Sequence, residues 1–141
     1  KHADKTFPCP RTWEMVSKII KPWKDISHRK LPIIDGTIGE GASRAFFTYC
    51  QIFDELPSIK DIISNPLGVP VSNDPSTQFA ISNMIAAYMD KGNVDNLMPY
   101  IERMAIEFQV ITLKTAISSD LSLGDTKVVD KWLTKNSSEL M

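Results

Sequence analysis

The sequence has few of the features that define specialised classes of protein. It contains two cysteines among 141 residues, which excludes a disulfide-rich secreted scaffold. Six glycines and nine prolines are too few for a collagen-like or linker-like chain. Its apolar runs are far shorter than the ~20 residues that a membrane-spanning helix needs, and no segment has the pattern of a signal peptide. We therefore expect no membrane partner and a cytoplasmic location.

Charge is nearly balanced overall but unevenly distributed along the chain. The net charge is −1, from 16 Lys/Arg and 17 Asp/Glu. Residues 1–30 contain eight Lys/Arg against three Asp/Glu, whereas residues 31–141 contain eight against fourteen. This asymmetry indicates either an anionic partner near the N-terminal end or a basic helix that packs beside acidic helices of the same domain.

Hydrophobic spacing is helical through most of the chain. Apolar residues recur at intervals of three and four, as in the stripe of Trp13, Val16, Ile20 and Trp23. Asp74-Pro75 is a strong helix start, because a carboxylate suits the N-cap and proline suits the first turn. For the helix that follows, the predicted buried face is Phe79, Met84, Ile85, Tyr88 and Met89. The whole pattern predicts an all-α fold, a compact irregular bundle of about six or seven helices in a single domain over residues 1–141.

The sequence lacks the patterns of common catalytic and metal sites. Its two histidines lie far along the chain from each other and from both cysteines, so no metal site is predicted. No G-x-S-x-G motif marks a serine nucleophile. Residues 36–42 are rich in glycine, and we expect a turn at residues 35–37 that leads into a helix. Asp35 and Glu40 disfavour phosphate binding there, because they place negative charge where the phosphate would lie.

Basic residues are concentrated late in the predicted first helix and in the connector after it. They are Lys18, Lys21, Lys24, Arg29 and Lys30, with Trp13 and Trp23 nearby. Basic residues interleaved with aromatic ones are typical of nucleic-acid interfaces, so this segment is a candidate contact for an anion or a nucleic acid. Both tryptophans also fit a core stripe, and a net charge of −1 is low for a nucleic-acid-binding domain.

Arg11 lies in the first turn expected for that helix, immediately after Pro10. A cation is unfavourable at the positive end of a helix dipole. The side chain therefore either faces Glu14 or solvent, or points outward to an anion, which it would bind in a bidentate manner if the anion is phosphate.

One segment resembles part of a known family. The segment from Thr6 to Val16, TFPCPRTWEMV, resembles the start of the helical lid in MoxR-like AAA+ ATPases. A phage and bacterial branch of that family carries a version close to F-P-x-P-R-S-W-E. The segments Gly39–Ala42, Glu55–Pro57 and Glu107–Val110 are similar to the same branch, so the resemblance extends over most of the chain.

The resemblance implies that residues 1–34 are a lid-like part and that residues 35–141 are a C-terminal helical extension. It also implies a longer protein whose N-terminal ATPase core, missing from this chain, binds ATP and Mg²⁺. Arg11 would match the sensor-2 arginine and contact the γ-phosphate of that ATP. The full-length protein would form a homo-oligomeric ring and couple hydrolysis to remodelling of a protein substrate. This chain alone would bind no cofactor and hydrolyse no ATP.

Two other functions remain open from the residues alone. The first is a non-catalytic protein-interaction module, since the methionines at positions 84, 89, 98 and 104 would suit an adaptable docking surface. The second is nucleic-acid binding through the basic segment 18–30.

Overall fold

The computed structural model describes residues 6–140, with side chains through Ser138. The α-helices are α1 (Pro10–Ile20), α2 (Leu31–Ile38), α3 (Glu40–Asp54), α4 (Ile59–Ser64), α5 (Pro75–Tyr88), α6 (Val94–Ile101), α7 (Ile106–Ser119) and α8 (Lys127–Lys135). Short 3-10 helices span His28–Lys30, Leu121–Leu123 and Ser137–Leu140. Residues 6–140 contain no strand, which confirms the predicted all-α fold. No helix in this range is both long enough and apolar enough to cross a bilayer.

The contacts divide the chain into two compact units. The first unit ends at Asp54 and the second begins at Glu55. The resemblance implies a boundary between the lid-like part and the extension after residue 34, but this position lies inside α2 and not between two elements. Each unit has a hydrophobic cluster of its own.

The first unit contains α1 to α3 and is built around a small apolar cluster. Val16, Ile34 and Ile38 are almost completely buried at its centre. Pro10 occupies the first position of α1, where its missing N–H has no helical partner, as the sequence predicted. Pro22 follows the C-cap residue Lys21 and helps to end the helix.

The junction of α2 and α3 corrects one prediction. Residues 35–37, expected to form a turn, are the last part of α2, and the chain turns at Gly39 instead. Gly39 has φ 88° and ψ 154°, a conformation that is open mainly to glycine. A glycine inside a helix costs only about 1 kcal/mol, and burial of Ile34 and Ile38 on the same helix exceeds that cost.

The second unit contains α4 to α8, and two side chains cap its first helices. The Ser58 hydroxyl accepts a hydrogen bond from the Asp61 N–H at 3.1 Å, and Asp74 accepts one from the Thr77 N–H at 2.8 Å. The Asp74 cap confirms the predicted helix start, and both caps join residues that are three positions apart.

The buried face of α5 differs in part from the predicted one. Met84, Ile85 and Met89 are buried as expected, but Phe79 and Tyr88 are 45% and 60% exposed. Small side chains, including Ala80 and Ser82, are buried instead. Helix α5 packs closely along α7, and a close approach of two helices favours small residues at the contact.

A buried polar network joins the elements of the second unit. The Gln109 Oε1 atom on α7 accepts a hydrogen bond from Trp132 Nε1 on α8 at 2.8 Å. Its Nε2 atom donates to the Met104 carbonyl at 2.8 Å, in the turn after α6. On α5, the Gln78 Oε1 atom accepts from the Ala105 N–H at 3.0 Å. The two glutamines thus provide hydrogen-bond partners for backbone groups of the turn between α6 and α7.

The loop between α4 and α5 is held by two side chains from the end of α6 and just after it. The Arg103 guanidinium donates to the carbonyls of Pro66 and Val69 at 2.7 and 2.8 Å. The buried Tyr100 donates its hydroxyl to the Pro70 carbonyl at 3.2 Å. These two side chains supply donors to three carbonyls of the loop and tie it to the end of α6.

We expect Arg103→Ala to loosen this loop without unfolding the unit. Loss of two charge-assisted hydrogen bonds at an exposed site should raise local opening roughly 5- to 10-fold. The readout is the rate of limited proteolysis within residues 65–73, with cleavage sites identified by mass spectrometry. Arg44→Ala, at an exposed arginine of α3, is the control. Equal cleavage rates in the two variants would contradict the assigned role of Arg103.

Candidate anion-binding site

Arg11 is the second residue of α1, and its side chain is exposed. Glu14, one of the expected neighbours, instead forms an ion pair with Lys18 at 2.7 Å. Arg11 makes no ion pair within residues 6–138, and the first turn of α1 carries no acidic residue. The structure therefore leaves the guanidinium directed to solvent in the part of the chain that it describes.

The N-terminal end of α1 favours negative charge. Cys9 is the N-cap residue, and its N–H donates to the Thr12 hydroxyl at 2.8 Å. Hydrogen bonds from the Thr12 side chain and backbone lower the pKa of the Cys9 thiol, with a smaller contribution from Arg11. The free N–H groups of a helix terminus stabilise anions in the same way.

The other cysteine, Cys50, lies in the opposite environment. It is half-buried on α3, and burial, together with the nearby Asp54 carboxylate, raises the pKa of its thiol. A thiol with a raised pKa is less often in the reactive thiolate form at neutral pH.

We expect Cys9 to react with iodoacetamide faster than Cys50 at neutral pH. Only the thiolate reacts, so the pH midpoint for Cys9 should lie below the ordinary value and that for Cys50 above it. The measurement is peptide mass spectrometry of alkylation across a pH series. Thr12→Val should move the Cys9 midpoint upward and leave Cys50 unchanged. Coincident midpoints for the two cysteines in the unmodified protein would contradict the assignment.

Two residues of the basic segment already have acidic partners. Lys18 pairs with Glu14, as described above. Lys30 contacts the Asp25 carboxylate at 3.0 Å, and its ammonium lies 5.2 Å from the centroid of the Trp23 ring. These pairs are exposed or partly exposed, so each contributes little to stability.

The remaining basic residues of the segment form no ion pair within residues 6–138; they are Lys21, Lys24 and Arg29. All three are exposed. Arg11 does not join them, because ten residues of helix separate it from Lys21, a distance of about 15 Å along the axis. The predicted site residues therefore fall into two places, the start of α1 and the connector after it.

An aromatic groove borders this connector, and the sequence did not reveal it. Its volume is about 400 Å³, and its walls come from the end of α1, the connector and α3. Trp23, Phe46, Tyr49 and Phe53 line it. Phe46, Tyr49 and Phe53 recur on α3 at intervals of three and four residues, a spacing that predicts a buried helix face. The structure instead leaves Phe53 43% exposed and the face open, and no periodicity distinguishes an open face from a covered one.

Other sequence features are structural in the described part of the chain. The methionines at 84, 89, 98 and 104 are at most 8% exposed, so they belong to the core and form no docking surface. The glycine-rich segment joins two helices, and Glu40 there pairs with Arg44 at 3.3 Å. No group of three metal-ligating side chains comes together among the residues that the structure describes.

Comparison of the chain with protein-family models, with curated proteins and with solved structures finds no match in any of the three. The geometry of the site and the family resemblance of the segment from Thr6 to Val16 are therefore the basis for a function.

Proposed function

We propose that this chain is the lid and C-terminal extension of an AAA+ ATPase of the MoxR-like kind. In this proposal Arg11 contacts the γ-phosphate of ATP that is held, with Mg²⁺, by an N-terminal core. The observation that carries the proposal is the exposed Arg11 at the start of α1, without an acidic partner in residues 6–138.

Two features of the first unit support this assignment. An arginine is well suited to a phosphoryl group, because its fork of N–H donors binds two oxygens and keeps its charge at all relevant pH values. The N-terminus of α1 already stabilises negative charge at Cys9 and would add to that effect. Charge that develops on a transferring phosphoryl group is stabilised by such fixed donors.

The division of the chain suggests where the lid would end. The helix that carries Arg11 belongs to a compact unit that ends at Asp54. The remaining residues form a second unit with its own hydrophobic core. We propose the first unit as the lid and the second as the extension. Assembly into a ring and action on a protein substrate follow from the family resemblance and are part of the same proposal.

The first test is the coding sequence upstream of Lys1. We expect a G-x-x-x-x-G-K-[ST] loop after a strand, followed by an acidic Walker B strand. An open reading frame that starts at or next to Lys1, or one without these motifs, would overturn the proposal.

We expect Arg11→Ala to lower the ATPase rate of the full-length protein by roughly tenfold or more, because one phosphate-directed donor is lost. The exposed position predicts little change in thermal stability. Arg44→Ala removes an exposed arginine from the same unit and is the control, with an expected rate near that of the wild type. Wild-type hydrolysis by the Arg11→Ala protein would remove Arg11 from the site.

A further inference from the structure

The aromatic groove of the first unit combines a ligand-sized volume, aromatic walls and nearby basic residues. It has a volume of about 400 Å³, which lies in the range of ligand sites. Four aromatic side chains line it. The connector that forms one wall carries the unpaired basic residues of the segment 18–30, of which Lys24 lines the groove itself.

The aromatic rings present surfaces suited to a flat, unsaturated ligand. Tyr49 and Phe53 are one helical turn apart on α3, and their rings are stacked with centroids 6.2 Å apart. Trp23 faces the same groove from the connector and is half-buried. Nucleic-acid bases stack on such rings whatever their sequence, because every base has a π-face.

Charge determines which flat ligand fits best. The segment 18–30 holds five Lys/Arg and one acidic residue, Asp25, which Lys30 already neutralises. Lys21, Lys24 and Arg29 are exposed and make no ion pair within residues 6–138. The first unit as a whole is also basic, with nine Lys/Arg against six Asp/Glu over residues 1–54. A ligand that has flat aromatic faces and regularly spaced negative charges can stack on the rings and pair with the basic side chains at the same time.

We propose that this groove binds single-stranded nucleic acid, with bases stacked on Tyr49 and Phe53 and phosphates on Lys21, Lys24 and Arg29. Asp54 is the one lining carboxylate without an ion pair within residues 6–138, and it opposes the phosphates. This proposal does not depend on the ATPase assignment, because none of these residues lies at the start of α1.

The test is fluorescence anisotropy of labelled oligothymidylate titrated with the full chain at several salt concentrations. Three phosphate contacts predict a slope of log K against log salt of about −2. Lys24→Gln should reduce that slope by about 0.7, and Tyr49→Leu should weaken binding roughly 5- to 150-fold. Asp54→Asn, at an exposed position, should strengthen binding.

Matched controls come from the second unit, where Lys114 and Phe79 are exposed. Lys114→Gln and Phe79→Leu should leave affinity and salt slope unchanged, and circular dichroism should show the folded spectrum in every variant. The proposal is overturned if oligothymidylate does not bind at low salt, or if Lys24→Gln and Lys114→Gln have equal effects. It is also overturned if an amphipathic peptide, but not the oligonucleotide, quenches the tryptophan fluorescence of the chain and Trp23→Phe abolishes that quenching.

Discussion

Replacement of Gln109 by leucine is expected to lower the free energy of unfolding of the second unit by about 2–4 kcal/mol. The leucine side chain fits the volume but leaves the Trp132 indole N–H and the Met104 carbonyl without partners. Each buried polar group left unsatisfied costs about 1–3 kcal/mol. Gln109 is only 8% exposed, so water can replace its amide poorly. The measurement is urea denaturation followed by circular dichroism.

A double-mutant cycle separates the indole contact from the rest of this effect. Trp132→Phe removes the N–H that donates to Gln109 Oε1. In that background Gln109→Leu should cost at least about 1 kcal/mol less, because one unsatisfied group is absent from the start. Gln51→Leu, at an exposed position of α3, is the control and should change stability by less than about 0.5 kcal/mol. An equal cost of Gln109→Leu in both backgrounds would show that the indole bond contributes nothing.

Gly39→Ala is expected to destabilise the first unit by about 1–3 kcal/mol. A side chain is strained at φ 88° and ψ 154°, whatever space surrounds it. The added Cβ would also lie 3.1 Å from the carbonyl oxygen of Thr6, closer than ordinary contact. Amide hydrogen exchange within α2 and α3 measures the effect where it acts, since local opening reports local stability.

Gly36→Ala is a matched control for which we expect the opposite change in stability. Gly36 lies inside α2, and a Cβ built there meets nothing within 4 Å. Gly36→Ala should therefore stabilise the helix by roughly 0.5–1 kcal/mol. Two glycines of one segment would then respond to the same substitution in opposite directions. Equal destabilisation by both substitutions would contradict the positions assigned to these glycines.

The candidate site could be predicted only in part. The sequence leaves three surroundings open for Arg11, namely Glu14, solvent or an anion. The structure removes only the first, because Glu14 pairs with Lys18, four residues further along the helix. The groove was not predicted, because the α3 aromatics have the same spacing in a covered face and in an open one.

The helical class and several helix starts follow from the sequence without knowledge of the fold. Pro10, Ser58 and the Asp74-Pro75 pair act on backbone groups within a few residues, so their effects are visible without a fold. Which helix faces are buried, as at Phe79, and whether a glycine lies in a helix or at a turn depend on packing between helices. Those outcomes depend on neighbours that are distant along the chain, and burial against those neighbours outweighs the local preferences of about 1 kcal/mol per residue.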